Sequence, residues 1–84
     1  MSDTVEARIR AFILGNFMVA PEDSSFADTD SLLSLGIIDS MGVLELATFL
    51  QKEFGVDAAP SEVSPGNFDS IAAIAAFVAR KRGT

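Results

Sequence analysis

Apolar residues recur every three or four positions in three stretches of the chain, and between those stretches the rhythm fails. Over 5–18, Val5, Ile9, Ile13 and Phe17 recur at i+4 and Phe12 fills the adjacent position, which predicts a helix with one continuous apolar face. Asp3 and Glu6 have the spacing of a capping box at its start, and Pro21 limits how far it can run. Over 40–54, Val43, Leu46, Ala47, Leu50 and Phe54 share a second helical face, and Gly55 stands where helices favour a terminating glycine. Over 71–82, Ile71, Ile74, Ala75 and Val78 share a third, opened by Asp69 and Ser70. Arg80, Lys81 and Arg82 fall in its last turn, where cations complement the helix dipole, and that role accounts for them.

The connections differ in kind. From 21 to 39, turn and cap formers such as Pro21, Asp23, Asp28 and Asp30 alternate with Phe26, Leu32, Leu33, Leu35, Ile37 and Ile38. A connection of this length is uncommon in a small domain, and its apolar residues predict that it lies pinned across the helices. Gly36 supplies a backbone conformation that other residues resist. Between 58 and 68, Pro60, Pro65 and Gly66 leave room for one short helical turn around 61–63 at most. The expected fold is all-α: a small bundle of three main helices plus one short helix, with a long loop between helices 1 and 2, and residues 1–84 forming one domain.

Composition narrows the chemistry. Hydrophobic residues make up 49% of the chain and charged residues 21%, as in a folded domain rather than a disordered segment. Cysteine and histidine are absent, which excludes disulfides, thiolate or imidazole metal sites, a cysteine nucleophile and a Ser-His triad. Asp28, Asp30 and Asp39 are spaced like a calcium loop, but Leu32 and Leu33 occupy positions that need an oxygen ligand and a glycine. No glycine-rich phosphate loop is present. No catalytic or metal-binding residue is therefore assigned, and the chain is expected not to be an enzyme. The net charge is −6, and between Glu22 and Asp69 ten acids face Lys52 as the single base. Such a surface repels phosphate backbones and attracts basic protein patches, so nucleic acid is not an expected partner. The first residues lack the basic start and apolar core of a signal peptide, and the longest apolar run is the nine residues 71–79. A cytoplasmic monomer without a transmembrane segment is expected.

One segment has more in it than packing requires. Met41, Leu44 and Thr48 form a second stripe on the 40–54 helix, although a bundle helix needs only one buried face. Either Met41 and Leu44 pack under the long loop, or they are exposed for a partner. Asp39 and Ser40 stand at the start of this helix. As a bare Asp-Ser pair they would be an ordinary N-cap. A serine there also lies where backbone N–H groups are unpaired and the dipole is positive, so a phosphate attached to it would be favoured.

The string Gly36-Ile37-Ile38-Asp39-Ser40-Met41, followed by Glu45-Leu46, resembles the attachment motif of acyl carrier proteins and peptidyl carrier domains. The likeness extends along the chain to Asn67-Phe68-Asp69-Ser70-Ile71 at the last helix. It implies that a phosphopantetheinyl transferase attaches 4′-phosphopantetheine to Ser40 through a phosphodiester, with Asp39 helping to engage the transferase. The arm's thiol then holds an acyl or aminoacyl group as a thioester, as fatty acid, polyketide or nonribosomal peptide biosynthesis uses. Met41, Leu44 and Glu45 fall where carriers face the basic, apolar surfaces of ligases and synthases. Gly42 and Thr48 depart from fatty-acid carriers, and Asp-Ser-Met-Gly is similar to stand-alone carriers such as the D-alanyl type. A glycine in the first helical turn costs ~1 kcal/mol against alanine, which predicts some looseness there. The alternative reading is a small acidic helical adaptor that binds a basic partner without a prosthetic group.

Overall fold

The computed structural model describes residues 4–17, 19 and 25–82, and all regular structure among them is helical. Helix α1 spans Val5–Asn16. Its N-cap is Thr4, whose hydroxyl accepts the Ala7 amide at 3.0 Å; Asp3, Met18 and Pro21 lie outside the described residues. The backbone turns extended at Phe17, so the helix ends sooner than its apolar rhythm does. Helix α2 spans Ser40–Phe54, with Asp39 as N-cap and Gly55 as a left-handed C-cap at φ 69°.

Between these and the last helix lies more structure than the sequence predicts. A 3₁₀ turn occupies Pro60–Glu62 and a one-turn helix α3 occupies Pro65–Phe68, instead of a single turn around 61–63. The two prolines that argued against helix each open one. Proline suits the first helical position, where its missing N–H would have had no acceptor and its fixed φ is already helical.

Helix α4 spans Ile71–Lys81 and is capped by Ser70, whose hydroxyl accepts the Ala73 amide. Its terminal cations do more than complement the dipole. Arg80 donates to Asn67 Oδ1 at 3.0 Å and Lys81 pairs with Glu62 at 3.0 Å, tying α4 to the two short elements. The Glu62 carboxyl is held below its ordinary value, first by the hydrogen bond it accepts from the Ala59 amide and then by Lys81.

The four α-helices share one core. Ile9 and Ile13 of α1, Leu46 and Leu50 of α2, Phe68 of α3 and Ile71, Ile74, Phe77 and Val78 of α4 are all buried. The long loop adds Phe26, Leu32 and Ile38, three anchors that fasten it across the bundle as its composition predicts. Phe77 was absent from the predicted α4 face but is sealed against Phe68, ring centroids 5.5 Å apart. Phe54, placed on the core face by its spacing, is only half-buried. Its ring meets Phe49 edge-on and carries the Arg8 guanidinium. Phe12 stacks on Phe49 at 4.1 Å and Arg8 pairs with Glu53, which joins α1 to α2 along that side.

Candidate functional site at the start of helix α2

The site begins in the loop. Leu32 is fully buried and its carbonyl accepts the Ile37 amide at 2.9 Å, closing a turn in which Gly36 adopts φ 75°. That positive φ is where an L side chain would be strained, so the glycine is required by the turn. Ile38 then buries itself, and the extended backbone of Asp39 redirects the chain into α2. Asp39 Oδ1 accepts the Gly42 amide at 2.9 Å, so the aspartate caps the helix and Ser40 is its first residue. The amides of Ser40 and Met41 have no acceptor within the helix and add to the positive end of its dipole. Ser40 and Asp39 are both exposed.

Gly42, one turn in, is buried. A Cβ built on it would lie 3.0 Å from Phe17 Cε1 and 3.1 Å from Ile38 Cβ. The expected looseness is therefore corrected: the glycine allows the end of α1 and the loop to press directly on the α2 backbone. Any larger side chain here would enter this contact. Gly42→Ala is expected to lower stability by about 1 kcal/mol, because overpacking of ~1–3 kcal/mol exceeds the gain in helix propensity. Urea denaturation measures this, and a rise in the midpoint would show that Phe17 and Ile38 give way freely.

The second stripe is open to solvent. Met41 is 64% and Leu44 53% exposed, which decides against their packing under the loop. Glu45 and Thr48 are exposed beside them. Leu44 also forms one side of a groove of about 640 Å³ that opens at Asp39 and Ser40. Leu33, Ile38 and Val43 floor it, and Val63 and Pro65 make its far wall. A second groove of about 450 Å³ continues along α2 past Thr48 and Gln51, sharing Leu44 and Val63 with the first. The spacing of the sequence contains no signal for that far wall, since Val63 and Pro65 reach α2 only through the fold. Among the described residues no group of acids could hold a metal ion, and no helix is long and apolar enough to cross a membrane.

A family model described as "Phosphopantetheine attachment site" matches residues 7–78. This chain belongs to the phosphopantetheine-binding carrier family. It is also 29% identical over 76 residues to a Serratia sp. (strain ATCC 39006) protein described as "Probable acyl carrier protein PigG", covering 90% of this chain and 86% of that protein. The carrier thus takes 4′-phosphopantetheine as a covalent prosthetic group. The start of α2 fits such a group: a hydroxyl in solvent, unpaired amides beside it for a phosphate, and an apolar groove leading away.

Proposed function

We propose that Ser40 is the attachment point and that residues 1–84 act as one monomeric, cytoplasmic carrier domain. The observation that carries this reading is the exposed hydroxyl of Ser40, on the first residue of an aspartate-capped helix and at the mouth of an apolar groove. The serine oxygen would bond to the phosphorus of the pantetheine arm of coenzyme A, releasing 3′,5′-ADP, with the serine proton passing to the transferase. Asp39 holds the helix start rigid and presents a carboxylate to the transferase beside the serine. The unpaired amides and the helix dipole stabilise the phosphodiester charge. When bound, the arm supplies a terminal thiol that carries an acyl or aminoacyl group as a thioester.

Met41, Leu44 and Glu45 form the surface that ligases, synthases and the transferase contact, with apolar contact from the first two and steering from the acid. Leu44→Asp is expected to leave the melting temperature nearly unchanged, since the side chain is more than half exposed. It should slow modification by the transferase by roughly tenfold, the effect of losing about 1.4 kcal/mol at an interface. Unfolding of this variant would show that Leu44 supports the core instead.

The reading is tested by incubating the protein with coenzyme A and a phosphopantetheinyl transferase, then measuring intact mass and fragmenting the modified peptide. One arm per chain on Ser40 is expected. An arm on another serine would overturn the site, and no arm with tight binding to a basic partner would favour an adaptor without a prosthetic group.

A further inference from the structure

The loop that delivers Ser40 is gripped from the far end of the chain. Asp69, between α3 and α4, accepts the Ser31 hydroxyl on Oδ2 at 2.6 Å and the Leu33 amide on Oδ1 at 2.9 Å. Its backbone carbonyl accepts the Leu32 amide at 2.6 Å. One residue thus fastens three consecutive loop residues. The neighbouring Ala72 amide adds a bond to the Asp28 carbonyl at 2.9 Å.

Helix α4 does not need this carboxylate, because Ser70 already supplies its cap. The pair Asp69-Ser70 contains one cap-former more than a helix start requires, and the surplus one is spent on the loop. From Leu32 the grip is transmitted directly. The same residue whose amide is held by Asp69 accepts the Ile37 amide, and the turn so closed ends in buried Ile38, against which Gly42 packs. Asp39 and Ser40 follow immediately.

Building on the assignment of Ser40 as the attachment point, we propose that Asp69 is a positioning residue for its modification. Asp69 touches none of the reacting atoms. It holds the 31–38 turn in the one arrangement that sets Ile38 under Gly42 and Ser40 at the exposed tip of α2. Without that grip the turn samples other arrangements, and the transferase meets a competent site in only a fraction of molecules. Affinity falls in proportion to that fraction while the chemical step in the bound complex is unaffected.

The test compares transferase kinetics on the apo forms of four proteins, with coenzyme A as donor. Asp69→Ala removes both carboxylate contacts, to Ser31 and Leu33, while its backbone carbonyl can still accept the Leu32 amide. Freeing the residues on either side of Leu32 should raise KM for the carrier about tenfold and leave kcat unchanged. Asp69→Asn retains an oxygen for the Leu33 amide and can donate to the Ser31 hydroxyl, so it should restore most of the wild-type KM. Val56→Ala, a buried change away from the loop, provides a stability control and should leave KM unchanged. Amide exchange should quicken most at Leu33, whose carboxylate acceptor is lost, and also at Ile37, in Asp69→Ala alone. Should Asp69→Ala fail to fold, Ser31→Ala removes one of the two carboxylate contacts and should raise KM a smaller amount. The proposal is overturned by an unchanged KM in Asp69→Ala, or in Ser31→Ala where that variant must stand in, and equally by a KM that follows melting temperature alike in Asp69→Ala and Val56→Ala. Wild-type protein that gains no arm, or gains it away from Ser40, would refute the site assignment itself, a different result from either of these.

Discussion

Ser40→Ala protein, incubated with coenzyme A and a phosphopantetheinyl transferase, is expected to keep its starting mass while the wild type gains one arm. The effect is complete rather than graded, because the substitution removes the oxygen that forms the bond. Neighbouring serines do not substitute for it. Ser31 donates its proton to Asp69 and Ser70 caps α4, so both hydroxyls are engaged; Ser34 is exposed but lies in the loop, and none of the three stands at the tip of α2. The fold should be indifferent to the change. Asp39 holds the cap and Ser40 is exposed, so stability should move by no more than about 0.5 kcal/mol, as at other surface positions. Intact mass and a urea melt on the same sample check both halves of the expectation. A Ser40→Ala protein that still gained the arm would remove the basis of the site assignment.

The largest expected effect on stability comes from Phe68. It is fully buried, packs on Phe77 and is the buried residue of α3. A four-residue helix has no stability of its own, so α3 exists because that ring is sealed in the core. Phe68→Ala is expected to cost ~3–5 kcal/mol, and a small domain has only ~5–15 kcal/mol in total. Losing α3 also displaces Pro65 and Val63, the far wall of the groove beside Ser40. Urea denaturation should show the loss directly, and the surviving folded fraction should exchange the 60–68 amides quickly. Phe54→Ala provides the contrast. Its half-buried ring should cost distinctly less, although its helical spacing had placed it on the core face.

The short elements show why the chain between α2 and α4 was hard to read. Prolines at 60 and 65 carry the local meaning of helix breakers, and only position within the turn reverses it. The same limit applies to Gly42. Its propensity argues for looseness, whereas its burial against Phe17 and Ile38 makes it a close contact between three segments. The Arg80 and Lys81 side chains likewise look sufficient as dipole partners until Asn67 and Glu62 are brought beside them.

The sequence by itself determined the three main helices, the pinned loop and the serine that opens α2, because each rests on spacing or capping within a few residues of chain. It also determined family membership, since the motif and the order of elements around it are linear features. Only the tertiary structure decided that Met41 and Leu44 face solvent, that a groove lies between α2 and the 63–65 segment, and that Asp69 grips the turn ahead of Ser40. These depend on contacts between residues far apart in the chain. No periodicity encodes such contacts, and hydrogen bonds to a loop are set by where folding carries the donor and the acceptor.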